Sequence, residues 1–175
     1  MKTDEHVPEA AEKEAHLPAA QSEAKIQVQP VTHANDISPV AVRAIGFNSL
    51  NQTQPVTLIA TEADCNKLMR SNPSQYSIID LDPYGHPSIF YDAAIEALEN
   101  GGLMSATATD GLVTCGRQPH ECLVRYQSVP AQACFCHEFS VRIVIGNLAM
   151  ACVRARVGMK VLCCFYHAHY LRVFC

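Results

Sequence analysis

The sequence predicts an α/β domain: a mostly parallel sheet with helices on both faces, closed by a C-terminal antiparallel hairpin. Three observations predict it. A largely apolar run from Tyr76 to Leu81 reads as a buried strand and leads directly into the turn Asp82-Pro83-Tyr84-Gly85. Apolar residues then recur at helical spacing, Ile89, Phe90, Ala93, Ala94, Ala97 and Leu98, before another strand-like run from Leu103 to Thr109. Finally, Met159–Tyr166 and Tyr170–Cys175 are two strand-like runs close enough to pair as a hairpin. Strand and helix patterns that alternate imply parallel pairing, and ligands in such folds sit at the carboxyl ends of the strands.

Composition fits this picture. The chain has 175 residues, 49% hydrophobic and 17% charged, enough for one domain with a sizeable core. Residues 1–24 are rich in Glu and Ala with little apolar periodicity and are expected to form a flexible acidic tail, leaving 25–175 as the domain. The acidic N-terminus resembles neither a secretory signal nor an Arg-rich transit peptide, and no apolar run reads as a membrane span. Nine cysteines, an odd number, then point to reduced thiols and an intracellular setting, nuclear and mitochondrial sites being indistinguishable. Cys134-x-Cys136-His137 invites a zinc reading, but no second ligand pair has zinc spacing, so thiols on buried faces and no metal are expected.

Along the chain, Ile26–His33 reads as a strand, with Pro30 marking an edge or bulge. Ser38-Pro39 starts a helix that runs to about Asn48, hydroxyl cap first and proline at the first helical position. Val56–Ala60 is a β-branched strand, and Asp64 caps a short helix through Met69. Gly101-Gly102 is expected to stop the helix begun near Ile89. Residues 111–133 read as a polar connection, followed by a helix with Val141, Val144, Ile145, Leu148, Ala149 and Cys152 on one face.

Charge divides unevenly along this pattern. Residues 1–110 hold 6 basic and 15 acidic side chains, and residues 111–175 hold 7 basic and 2 acidic. The basic part suits phosphate contacts, although its arginines are spaced singly, as on any solvated surface.

Three predicted strand ends carry an acid. Asp36, in Ala34-Asn35-Asp36-Ile37-Ser38, can accept hydrogen bonds from ribose hydroxyls, or simply make an Asx turn before the helix. Asp64 can accept from an adenine amino group, or serve only as a helix cap. Asp82 is the most specific. An exocyclic amine on a base is a poor nucleophile because the ring withdraws its lone pair. A carboxylate and a carbonyl at a rigid turn can accept the amine's two hydrogens, aim the lone pair and take the released proton. Pro83 stiffens that turn, and Tyr84 offers a face for stacking a base. An ordinary strand-to-helix turn also favours Asp, Pro and Gly.

Read together, Ile79-Asp80-Leu81-Asp82-Pro83-Tyr84-Gly85 with Pro87 resembles the amine-methylating motif of tRNA guanine-N2 dimethyltransferases. Gly102-Leu103, Thr107-Ala108-Thr109-Asp110, Cys136-His137-Glu138, Arg142-Ile143 and Tyr170-Leu171-Arg172-Val173-Phe174 continue the likeness in order, as do the segments around Asp36 and Asp64. The resemblance implies a Rossmann-like class I methyltransferase fold, incomplete on its N-terminal side, with S-adenosyl-L-methionine as methyl donor and guanine 26 of tRNA as target. It implies Asp82 as the catalytic acceptor, Pro83 and Tyr84 lining the base pocket, Asp36 on the cofactor ribose and Asp64 on its adenine. In that family a glycine-bearing loop precedes the Ala-Asn-Asp segment, whereas the first glycine here is Gly46, so weak cofactor binding is expected, with a protein partner supplying what is missing. Two other readings stand beside this one: a non-catalytic relative that binds RNA or protein, and amine methylation of adenine, which a tyrosine directly after a single proline disfavours.

Overall fold

The computed structural model describes residues 30–51, 53 and 56–175, so the proposed tail and the start of the Ile26–His33 strand lie outside the described residues. The first strand, β1 (Val31–Asp36), pairs in parallel with β2 (Thr57–Glu62), and α1 (Pro39–Ser49) packs between them in sequence. Proline at the first turn and extended backbone at Ser38 start α1 as expected, but the Ser38 hydroxyl makes no capping bond. Next comes α2 (Cys65–Arg70), capped by Asp64, whose carboxylate accepts from the Lys67 amide at 3.2 Å.

The second sheet has four strands in the order β3 (Tyr76–Leu81), β4 (Leu98–Ala108), β6 (Tyr170–Phe174), β5 (Cys163–His167). β3 and β4 are parallel, while β4–β6 and β5–β6 are antiparallel, which realises the predicted hairpin. The apolar run ending at Leu81 is expected to be central in the sheet. It is instead an edge strand of the four-stranded sheet: β4 lies beside it, its alternate residues Ile79 and Leu81 are buried, and Ile78 is 64% exposed. The two sheets meet through Tyr76, whose hydroxyl lies 3.0 Å from Nδ1 of His33.

Between β3 and β4 runs a 3-10 turn, Ser88–Phe90, and α3 (Tyr91–Ala97). The expected glycine stop fails here. The helix ends at Ala97, and Gly101-Gly102 sit inside β4, where the register slips so that Tyr76 faces Leu98 but Ile78 faces Leu103. The connection at 111–133 holds two short helices, α4 (Gly111–Thr114) and α5 (Pro119–Tyr126), before the long α6 (Cys136–Arg154).

Two apolar clusters hold these elements together. Ile79, Leu81, Met104 and Ala106 of the sheet meet Tyr91, Ala94, Ala97, Leu148 and Ala151 of α3 and α6. Ala108, Leu171 and Val173 meet Val113, Cys122, Tyr126, Val141 and Val144 of α4, α5 and α6. Strand alternation places all these sheet residues on one face. Among the described residues, α3–α6 therefore cover that face alone, not both as expected. The opposite face carries Ile78, Asp80 and Arg172 together with the buried Ser105 and Thr107 of β4, and there the Arg172 guanidinium donates to both Asp80 oxygens at 2.6 and 2.7 Å. Burying side chains such as Leu148 and Val144 is worth about 1.5–3 kcal/mol each, which makes α6 the keystone of the core. Against expectation, this 19-residue helix is long and apolar enough to cross a membrane, but its apolar side is packed against the sheet.

Candidate functional site

The turn after β3 is held from outside its own segment. The backbone N–H of Gly85 donates to the Thr109 hydroxyl at 2.8 Å, and the N–H of Thr109 donates to the Gly85 carbonyl at 2.8 Å. Thr109 follows the last residue of the parallel neighbour β4, so the sheet itself sets the position of the turn. Gly85 has φ +85°, a conformation other residues resist, which explains glycine at this position. Asp82 is exposed, and among the described residues no hydrogen bond or ion pair engages its carboxylate. Pro83 is half-buried, and the Tyr84 side chain stands wholly in solvent, 103% exposed. The arrangement offers a free carboxylate on a stiff support with an unencumbered aromatic face two residues on.

Asp36 ends β1, and Asp64 lies two residues past the end of its parallel neighbour β2, where the Ala63 N–H donates to the Asp36 carbonyl at 3.3 Å. Each is partly committed to local structure. Asp36 Oδ1 accepts from the Ser38 amide at 2.7 Å, an Asx turn, and Asp64 caps α2. Asp36 keeps its second oxygen. Beside them, Asn35 donates to the Ala63 carbonyl at 3.0 Å, while Asn35 Oδ1 and Asn66 Oδ1 are buried without a partner. Buried acceptors left unpaired at a strand end are costly unless a ligand supplies donors. The predicted residues thus form two groups, Asp36 with Asp64 and Asp82 with Pro83 and Tyr84. Two cavities of about 600 and 760 Å³ lie elsewhere, and none of the three acids lines either one.

Several residues beside the turn have no role in the sequence reading. Asp110 directly follows Thr109. Its side chain, 6% exposed, accepts from the Tyr126 hydroxyl at 2.8 Å and pairs with Arg125 at 3.2 Å, tying α5 to the end of β4. Burial pushes the Tyr126 hydroxyl well above the usual phenol range, reinforced by Asp110, so it acts as a donor. His86, next to Gly85, lies 2.7 Å from the Ser88 hydroxyl, and burial holds its imidazole below its ordinary value. Asp110 is an acid just past a strand end, a signal close to the one that singles out Asp82. His86 has no comparable signal.

The smaller cavity brings Cys115, Cys136 and His137 together, their ligand atoms all within 4.8 Å of one another. Burial and the adjoining Cys136 thiol push Cys115 up to about 11, against the pull of the Ser140 and Thr114 hydroxyls. Cys134, the other half of the Cys-x-Cys pair, is exposed and stands apart from this group.

Comparison with known proteins covers both sheets and the turn. A family model described as N2,N2-dimethylguanosine tRNA methyltransferase matches residues 22–175. The tRNA (guanine(26)-N(2))-dimethyltransferase of Pyrococcus furiosus is 38% identical over 118 residues, 67% of this chain and 31% of its own. That of Methanothermobacter thermautotrophicus is 36% identical over 152 residues, 85% of this chain and 39% of its own. The chain therefore spans only 31% and 39% of the length of these two relatives. Trm1 from Pyrococcus horikoshii, solved in complex with S-adenosyl-L-methionine, superposes with a TM-score of 0.79 at 32% identity, over 82% of this chain and 43% of that one.

Proposed function

The chain belongs to the N2,N2-dimethylguanosine tRNA methyltransferase family, and from that premise we propose that it carries the catalytic turn of an enzyme that methylates the N2 amine of guanine 26 in tRNA. The observation that carries this reading is the Asp82 turn: an unengaged carboxylate at the end of a parallel strand, pinned through Gly85 to Thr109.

The group the family implies fits this chain at the smaller sheet. Ribose hydroxyls and an adenine amino group are donors. The free oxygen of Asp36, the Asp64 carboxylate and the orphaned Asn35 and Asn66 oxygens are acceptors in the same neighbourhood. S-adenosyl-L-methionine, when bound, supplies an electrophilic methyl group. The rest is the work of the chain. Asp82 accepts a hydrogen from the guanine amine, which orients the amine's lone pair, and takes up the proton released as the new N–C bond forms. Tyr84 stacks on the extruded base. Thr109 keeps the turn from yielding as the proton moves onto the Asp82 carboxylate. Nine free cysteines suit an intracellular setting, and tRNA is the partner this reading requires.

Single-turnover transfer of labelled methyl groups to tRNA tests the assignment. Asp82→Asn is expected to lower the rate about 10²–10⁴-fold, because an amide cannot take the proton and its NH2 opposes the amine hydrogens. A wild-type rate in Asp82→Asn would remove the turn from the chemistry and leave it a structural element.

A further inference from the structure

Cys115, Cys136 and His137 belong to no part of the site described above, yet three separate constraints bring them together. Cys115 ends α4, while Cys136 and His137 open α6. Gly116, with φ +95°, turns the chain after Cys115, and its carbonyl accepts from Gln132 Nε2 at 3.0 Å. A Cβ at Gly116 would meet the Gln132 nitrogen at 2.8 Å and the Ala131 carbonyl carbon at 2.9 Å, so the loop ahead of α6 is pressed onto this turn. The His137 ring stacks on Tyr166, centroids 4.0 Å apart and planes 12° off parallel, which sets the imidazole plane. Deeper in, the buried Ser140 hydroxyl donates to Thr114 at 2.6 Å, joining α4 to α6 just beneath the sulfurs.

We propose that Cys115, Cys136 and His137 bind a thiophilic divalent cation, zinc by the ligand set, which staples α4 to α6. Two thiolates and an imidazole suit zinc and not magnesium or calcium, which take oxygen ligands. With Zn–S near 2.3 Å and Zn–N near 2.05 Å, tetrahedral ligand atoms stand about 3.5–3.8 Å apart. The observed cluster, all pairs within 4.8 Å, closes to that spacing by side-chain rotation. The three residues line a cavity of about 600 Å³ together with Arg117 and His169, so the cation has a path in and its fourth position faces the cavity. Thr109 lines the same cavity and holds the Asp82 turn through Gly85, so the staple stiffens the ground on which that turn rests.

Cobalt titration of the full chain, kept reduced by a phosphine, tests the site. The expected result is one equivalent bound with thiolate-to-metal charge transfer and tetrahedral d–d bands, displaced by zinc. Cys115→Ser and Cys136→Ser should each abolish the charge-transfer signature or weaken binding more than about tenfold, and His137→Gln should weaken it similarly. Cys163→Ser with Cys164→Ser, two exposed thiols, should leave it unchanged. X-ray absorption of the zinc-loaded wild type needs no variant and should report two sulfurs and at least one nitrogen around the metal. A shell of oxygen and nitrogen only, a signature that survives loss of both Cys115 and Cys136, or no stoichiometric binding by the folded wild type would each overturn the proposal.

Discussion

At the scale of single residues, two carboxylates two positions apart in one strand-and-turn segment do different work. Asp80 is spent on Arg172, which grips both its oxygens on the face opposite Ile79 and Leu81, whereas Asp82 is unengaged at the strand end. The Asp80–Arg172 pair is half open to water, so Asp80→Asn should cost only about 0–1 kcal/mol in urea unfolding and leave methyl transfer near the wild-type rate. A dead Asp80→Asn enzyme of normal stability would mean that the catalytic acid has been misplaced. Tyr84→Ala should behave differently again. Its side chain touches nothing in the fold, so stability should not change, while productive tRNA binding should weaken by the ~1–3 kcal/mol of a lost stacking face. A Tyr84→Ala variant that binds and turns over tRNA like the wild type would remove Tyr84 from the base pocket. The position of Asp82, an exposed carboxylate directly after a buried strand, was legible because the apolar run and the Pro-Tyr-Gly turn mark where β3 stops. Asn35 and Asn66 were not, because an orphaned amide oxygen exists only once its neighbours have been placed.

At the scale of elements, segments with a clear apolar pattern or a side-chain cap were read correctly, and the uncapped helices of the polar 111–133 connection were not. The Tyr76–Leu81 strand, the Asp64-capped helix, the apolar face of α6 and the final hairpin each combine a clear pattern with a clear boundary. The helices α4 and α5 span 4 and 8 residues, too short for a periodic signal, and they depend on tertiary partners such as Asp110 with Tyr126. Gly101-Gly102 misled because glycine both ends helices and permits the register slip that lets a strand begin at Leu98. Gly116 is the glycine whose replacement should be felt most. Gly116→Ala places a methyl against the backbone of Ala131 and Gln132 at positive φ, and should lower stability by about 1–3 kcal/mol, read as a shift in the urea midpoint. An unchanged midpoint would show that the loop before α6 yields freely, and that the Cys115–Cys136 approach is not enforced by this contact.

At the scale of the whole molecule, the Asp82 turn and the Asp36 and Asn35 acceptors lie on two separate sheets, linked by the Tyr76–His33 contact and by α2 packing on α3. The apolar run before Asp82 suggested a central strand because Ile78, Ile79 and Leu81 lie so close in sequence. Only the alternate pair, Ile79 and Leu81, is buried, and Ile78 stands out on the other face. Fold class was legible because the alternation of strands and helices does not depend on which strand lies at an edge. Layer coverage was not, because it depends on what packs against each face. The central claim is that this architecture delivers methyl groups to one exocyclic amine. It is tested most directly by supplying labelled S-adenosyl-L-methionine with two tRNAs identical except at position 26, one carrying guanosine and one carrying inosine, which lacks the N2 amine. Label is predicted in the guanosine tRNA as N2-methylated guanosine, and none in the inosine tRNA. Equal labelling of the two would contradict N2 as the target, and no labelling of either would leave the chain a non-catalytic binding module.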